Sequence, residues 1–182
     1  VPATVGVAAV SDVMATALFE QAYVEGHSIM FWVAFGMMFL GLTEYSIKPW
    51  ELTANTKAIF KRSLIGGAVN VGLNLILIKL LGSYYIASVT TFIGFFVYFL
   101  LARYGTRSQL RWKLKGKSLF RILLSAAIMY LAIYILKIFM PFNKINLVLF
   151  VFCGMIVYGL VLYISGEVKN EANLVLNKII KK

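Results

Sequence analysis

The sequence INLVLFVFCGMIVYGLVLYIS at residues 145–165 contains 21 consecutive residues without a charged side chain. A helix needs about 20 mostly apolar residues to cross the hydrocarbon core of a bilayer. A strand of a membrane barrel needs only about 10 residues, and it alternates between apolar and polar positions. The run is too long and too continuously apolar for such a strand, so it predicts a transmembrane helix.

Four more runs of the same kind precede it, and together they indicate a multi-spanning membrane protein. They lie at residues 31–50, 64–81, 84–102 and 119–140, and residues 1–19 form a shorter sixth run. Of all residues, 61% are hydrophobic and only 14% are charged, where a soluble domain carries about 25% charged residues. We expect an all-α transmembrane bundle over residues 1–165, followed by an amphipathic cytoplasmic tail over residues 166–182. Because residue 1 already lies in an apolar run, we expect it to fall within a helix of a longer protein.

The basic residues orient these spans. Of 18 Lys and Arg residues, three lie in residues 55–62, seven in residues 103–121 and four in the tail, while residues 20–28 contain no Lys or Arg. Loops rich in Lys and Arg stay in the cytoplasm. The five full spans place these three segments on one side of the membrane, so we expect a multi-pass protein of the cytoplasmic membrane with a cytoplasmic C-terminus. The same rule accounts for the net charge of +11, and we expect no nucleic-acid partner.

The sequence contains no pattern that is typical of an enzyme or a metal protein. It has one cysteine, Cys153, and one histidine, His27, which is too few for a Cys/His metal site. The G-x-x-x-x-G-K, G-x-S-x-G and H-E-x-x-H motifs do not occur in it. We therefore expect neither enzymatic activity nor a cofactor.

Two amides four residues apart, Asn70 and Asn74, lie within an otherwise apolar span. With Ser63 and Gly67 they share one face of a helix, and this face is expected to point into the bundle rather than toward lipid. One interpretation is helix packing, because small residues allow close approach and amides form hydrogen bonds across helices. The other is direct contact with a transported substrate.

Charged residues within the spans are the second group of candidates. Glu44, Lys48 and Glu51 are spaced so that they neighbour one another on a helix, and Pro49 can bend that helix. They form either an internal ion pair, with Lys48 reaching the interface, or a charged patch on a water-filled cavity. Asp12 is the single acid of the first run, and it is a candidate for binding a proton, a cation or a sugar hydroxyl; the alternative is a position at a hydrated helix break.

Three segments carry a resemblance to a known family: KPWELTANTK at residues 48–57, NVGLNLILIKLLG at residues 70–82 and ASVT at residues 87–90. They resemble the C-terminal half of the O-antigen and capsule flippases, the polysaccharide-biosynthesis branch of the multidrug/oligosaccharidyl-lipid/polysaccharide exporter superfamily. The family pattern differs at two positions, where Lys79 replaces a proline and Tyr85 a glycine.

The resemblance implies the second lobe of a two-lobe exporter that works by alternating access. It implies a polyprenyl-pyrophosphate-linked oligosaccharide as substrate, with Lys48 meeting the pyrophosphate. The expected partners are this lipid-linked oligosaccharide, the bilayer and the N-terminal lobe of the same protein, and a polysaccharide polymerase is a candidate partner. Two alternatives stay open: a drug or cation exporter of the same superfamily, and a membrane assembly subunit that transports nothing.

Overall fold

The computed structural model describes residues 1–19, 26–83, 85–109 and 115–167, and every regular element in these ranges is a helix. The six helices are α1 (Pro2–Leu18), α2 (His27–Leu52), α3 (Thr56–Leu81), α4 (Tyr85–Gly105), α5 (Gly116–Phe139) and α6 (Lys144–Ile164). By length and composition, α2 to α6 can each cross a membrane, whereas α1 is shorter. The predicted all-α fold, with five full spans and one partial span, is confirmed.

The helix ends differ from the predicted breaks at several places. Residues 104–118, 141–144 and 55–62 were predicted to be breaks between spans, but α5 begins at Gly116, α6 at Lys144 and α3 at Thr56. The side chain of Asn55 accepts a hydrogen bond from the backbone N–H of Ala58 and so caps the helix. Hydropathy detects only the apolar segment of a helix, while the helical backbone hydrogen bonds continue into the polar residues that flank this segment. The other end of α3 is the left-handed residue Gly82, as is common at helix C-termini.

The helices form two compact units. Helices α1, α5 and α6 belong to one, the α1–α5–α6 unit, and helices α2, α3 and α4 belong to the other, the α2–α3–α4 unit. Of the tail predicted over residues 166–182, only residues 166 and 167 are described. Its amphipathic character, like the structure of residues 20–25 and 110–114, lies outside the described residues.

In the α2–α3–α4 unit, α4 packs against both other helices. Its contact with α2 is aromatic: the ring of Phe39 lies within 4.9–5.7 Å, centroid to centroid, of Phe92, Phe96 and Phe99. Gly36 lets α2 approach closely here, because a methyl group at this position would lie 3.0 Å from the Phe95 ring and 3.3 Å from the backbone of Phe92.

In the α1–α5–α6 unit, the three helices contact one another pairwise. Their buried core consists of apolar side chains from all three: Ala9, Val10, Val13, Met129, Ile133, Leu147 and Phe150. Gly154 of α6 admits the side chain of Ile133, whose Cδ1 would lie 2.9 Å from a methyl group added there. Small residues at such contacts let membrane helices approach closely.

Candidate functional site

The amides of α3 form a hydrogen-bonded chain with two threonines of α4. Thr90 donates its hydroxyl to Oδ1 of Asn74 at 2.5 Å, and Nδ2 of Asn74 donates to Oδ1 of Asn70 at 2.9 Å. Nδ2 of Asn70 then donates to the hydroxyl oxygen of Thr91 at 3.4 Å. Both amides therefore face a neighbouring helix, as predicted. We call these four residues the Asn–Thr chain.

A close approach of two backbones makes this chain possible. A methyl group at Gly94 would lie 2.9 Å from Cβ of Asn70 and 3.0 Å from the carbonyl oxygen of Gly66. Gly67, which the sequence analysis placed on the packing face, has nothing within 4 Å of such a methyl group. The contact glycine is Gly66, because the rotation of α3 brings the neighbouring position against α4. The spacing of Gly67 from Asn70 did not reveal this rotation.

An open cleft of about 160 Å³ adjoins the Asn–Thr chain. Its lining is Leu40, Ser63, Gly66, Gly67, Asn70, Gly94, Phe95 and Tyr98. An amide nitrogen carries two hydrogens, so the side chain of Asn70 has a second donor besides the one that bonds to Thr91. The Asn–Thr chain therefore joins α3 to α4, and it also places the amide of Asn70 at a small opening.

The charged residues of α2 lie on its exposed side. Nζ of Lys48 is 2.6 Å from Oε2 of Glu51, and the side chains of the pair are 55% and 35% exposed. Glu44 is exposed as well. The buried residues of this part of α2 include Thr43 and Ile47. They are rotated from the three charges by about a third of a turn around the helix axis. Three charges are thus presented outward near the end of a helix that is long enough to span a membrane.

Helix α2 continues through the proline in this region. The sequence analysis considered a bend at Pro49, and the structure has α2 running on to Leu52. The hydroxyls of Thr43 and Ser46 donate to carbonyl oxygens four residues earlier in the same helix, at 2.8 Å in both cases. The buried hydroxyls on this stretch are therefore satisfied within α2.

Asp12 has a partner that the sequence analysis did not assign. Nζ of Lys137 lies 2.7 Å from Oδ1 and 2.5 Å from Oδ2 of Asp12, and it also donates to the carbonyl oxygen of Ala9 at 3.0 Å. Lys137 is 14% exposed and Asp12 is 37% exposed. The first acid thus belongs to an ion pair that joins α1 to α5. The sequence contained one signal for this pair. Both residues lie toward helix ends that were predicted to be on the same side of the membrane.

A second feature absent from the sequence analysis is an arginine at a place where three helix ends meet. The guanidinium of Arg62 lies 4.2 Å from the ring centroid of Trp50, and it donates to the carbonyl oxygen of Ala58 at 3.0 Å. A methyl group at Gly105 would lie 2.8 Å from both this guanidinium and the Trp50 ring. The arginine therefore links the end of α2, the start of α3 and the end of α4.

The candidate residues from the sequence analysis therefore fall into three local groups: the Asn–Thr chain, the charged side of α2 and the Asp12–Lys137 pair. The first two belong to the α2–α3–α4 unit and the third belongs to the α1–α5–α6 unit. Comparisons of the chain with protein-family models, with curated proteins and with solved structures find no match.

Proposed function

We propose that this chain is part of a transporter in the cytoplasmic membrane that flips a polyprenyl-pyrophosphate-linked oligosaccharide by alternating access. The observation that carries the proposal is the charged side of α2, where Glu44, Lys48 and Glu51 are exposed. Charged side chains in membrane-spanning helices are costly and usually face water-filled cavities rather than lipid. A spanning helix with three outward charges therefore fits a cavity wall.

The chemistry of the cargo explains why such a wall is useful. An oligosaccharide carries many hydroxyls, and its pyrophosphate is anionic. Each polar group that entered hydrocarbon without a partner would cost several kcal/mol. A hydrated cavity removes most of this cost, and Lys48 supplies a cation for the pyrophosphate.

The two acids near Lys48 limit how tightly it binds an anion. In the structure its ammonium is engaged by Glu51 at 2.6 Å, so an incoming pyrophosphate competes with a carboxylate. A transporter needs a site that both binds and releases its cargo. An exposed and exchangeable ion pair suits this requirement better than a buried one, because water screens an exposed pair and its partners exchange readily.

One observation favours a second candidate, the drug or cation exporter. The charged side of α2 carries two acids and one base, Glu44 and Glu51 against Lys48. A cavity wall with an excess of carboxylates attracts cationic solutes. The two candidates differ in which charge matters: the flippase depends on Lys48, and the cation exporter depends on Glu44 and Glu51.

The test is complementation of surface polysaccharide in a strain that lacks the full-length protein. We expect Lys48→Gln to impair polysaccharide export at equal expression and Lys48→Arg to retain much of the activity, because arginine keeps the charge. Lys61→Gln is the matched control, since Lys61 is an exposed lysine at the start of α3. It should leave export unchanged.

Three outcomes would contradict the proposal. Normal polysaccharide from Lys48→Gln would leave Lys48 as an interfacial anchor. Loss of resistance to cationic drugs in Glu44→Gln, with normal polysaccharide in both variants, would establish the cation exporter instead. Normal polysaccharide and drug resistance in a strain without the protein would favour an assembly subunit that transports nothing.

A further inference from the structure

A buried tyrosine of α4 has a hydroxyl with no hydrogen-bond partner among the residues that the structure describes. Tyr98 is only 8% exposed, and it lines the small cleft beside the Asn–Thr chain. Ser63 of α3 lines the same cleft, and within the described ranges its hydroxyl likewise makes no hydrogen bond. A buried polar group without a partner is costly, so the Tyr98 hydroxyl indicates that the cleft holds a polar occupant.

The hydrogen-bonding groups of the cleft come from two helices and meet at one opening. A methyl group at Gly66 would lie 2.9 Å from Cβ of Tyr98, so the tyrosine side chain begins directly against α3. Ser63 and Asn70 lie about one turn to either side of Gly66 on the same wall. Together the three polar side chains offer two hydroxyls, which both donate and accept, and one amide N–H, which donates.

The interior of the cleft is neutral, whereas the α2 wall next to it is charged. None of the lining residues carries a charge, and Leu40 is the contribution of α2. Leu40, Glu44 and Lys48 are four residues apart and share one face of α2, so the charged side of α2 continues this wall toward Leu52. The charges of Glu44 and Glu51 also act on the Tyr98 hydroxyl. The cleft and the charged side of α2 therefore belong to one surface of the α2–α3–α4 unit.

The chemistry of this surface selects a neutral occupant with several hydroxyls. An acyl chain or an apolar helix over the cleft would leave the Tyr98 hydroxyl unpartnered, and it would bring hydrocarbon against Glu44 and Lys48. A cation would find no charged ligand in the lining. A sugar ring satisfies the donors and acceptors of the cleft, and its C–H groups pack against Leu40 and Phe95.

We propose that this cleft binds one sugar unit of the lipid-linked oligosaccharide, the unit that is bonded to the pyrophosphate. The inference rests on the proposed function, in which Lys48 meets the pyrophosphate. Along α2, Lys48 lies about 12 Å from Leu40 at 1.5 Å per residue, and the long lysine side chain spans part of this distance. The first sugar can therefore occupy the cleft while the pyrophosphate meets the ammonium. The Tyr98 and Ser63 hydroxyls and the Asn70 amide then distinguish a sugar-bearing lipid from a bare polyprenyl pyrophosphate.

The experiment measures the binding of two lipids to the full-length protein in nanodiscs: polyprenyl pyrophosphate, and the same lipid carrying a single glucose. We expect the parent protein to bind the glucosylated lipid about tenfold or more tightly, through the added hydrogen bonds. Tyr98→Phe keeps the ring and removes the hydroxyl, so it should reduce this preference about fivefold. Ser63→Ala should also reduce it. Tyr104→Phe is the matched control, because Tyr104 is a tyrosine of α4 that is 72% exposed and does not line the cleft. It should keep the preference of the parent protein.

The two lipids separate a failure of this inference from a failure of the proposed function. Equal binding of both lipids by the parent protein would overturn the inference alone and would leave water as the occupant of the cleft. An unchanged preference in Tyr98→Phe and Ser63→Ala would also overturn it, since the sugar would then bind elsewhere. Lys48→Gln should weaken the binding of both lipids by the same factor and leave the preference intact. A parent protein that binds neither lipid would overturn the proposed function together with this inference.

Discussion

The Asp12–Lys137 pair allows a quantitative prediction about charge in the α1–α5–α6 unit. The ammonium of Lys137 has three oxygen partners, namely both carboxylate oxygens of Asp12 and the carbonyl oxygen of Ala9. In Asp12→Ala the carbonyl oxygen is the one oxygen partner that remains, beside the Phe142 ring at 5.8 Å, and the lysine side chain is 14% exposed. Removing one partner of a fully buried pair costs about 3–5 kcal/mol. Because Asp12 is 37% exposed, we expect a smaller loss of about 2–3 kcal/mol.

The opposite variant should cost less. In Lys137→Met, Asp12 keeps the hydrogen bond that its Oδ1 accepts from the backbone N–H of Val13 at 2.8 Å. It is also the more exposed partner, so we expect a loss of about 1–2 kcal/mol. The double variant leaves no unpaired charge, and its loss should be about 1 kcal/mol or less. The two changes should therefore be strongly non-additive, with a coupling energy of about 2–5 kcal/mol.

The assay is equilibrium unfolding of the full-length protein in mixed micelles, followed by loss of helicity, for both single variants and the double variant. Lys144→Met, combined with Asp12→Ala, is the control. Lys144 is an exposed lysine at the start of α6 in the same unit, so these two effects should add. If the effects of Asp12→Ala and Lys137→Met also add, the two charges do not stabilise one another, and the reasoning is refuted.

Three further predictions concern other parts of the chain. Gly94→Ala should destabilise the α2–α3–α4 unit by about 1–3 kcal/mol through overpacking, whereas Gly67→Ala, at an open position, should be neutral or stabilising in the same unfolding assay. Hydrogen bonds from Ser118 and Arg121 lower the pKa of Glu167 below its ordinary value, so its ion pair should stabilise the protein at neutral pH and lose that contribution as the pH falls through this lowered value. A pH titration of stability should show this loss in the parent and not in Glu167→Gln; an identical profile in both would contradict it. A cysteine at Lys182, in a Cys153→Ala background, should react with a membrane-impermeant reagent only after the cells are opened, and labelling of intact cells would reverse the proposed topology.

The number of helices, and the class to which they belong, could be read from the residues alone. Runs such as residues 145–165 have too few polar side chains to fold in water, and the cost of unpaired backbone groups in lipid forces them into helices. The capping residues Asn55 and Gly82 also act locally, because each satisfies or turns the backbone next to it. Such features need no knowledge of a neighbouring helix, but hydropathy alone does not detect them, and the start of α3 was therefore placed too late in the chain.

The orientation of the two amides toward a neighbouring helix was predictable for a similar reason. Asn70 and Asn74 are four residues apart, so a helix must place them on one side, and an unsatisfied amide in lipid is costly. Their partners Thr90 and Thr91 could not be identified, because the pairing depends on how far α4 is rotated and shifted along α3. The same uncertainty of rotation explains why Gly67 was chosen and Gly66 makes the contact.

Long-range contacts were decided by the tertiary structure alone. Asp12 and Lys137 are separated by 125 positions in the chain, and no periodicity connects residues so far apart. The sequence by itself determined which segments are helices and which of their faces are polar. The packing of those helices determined which polar groups meet, because a contact between helices depends on rotation and axial shift, which short-range spacing does not specify.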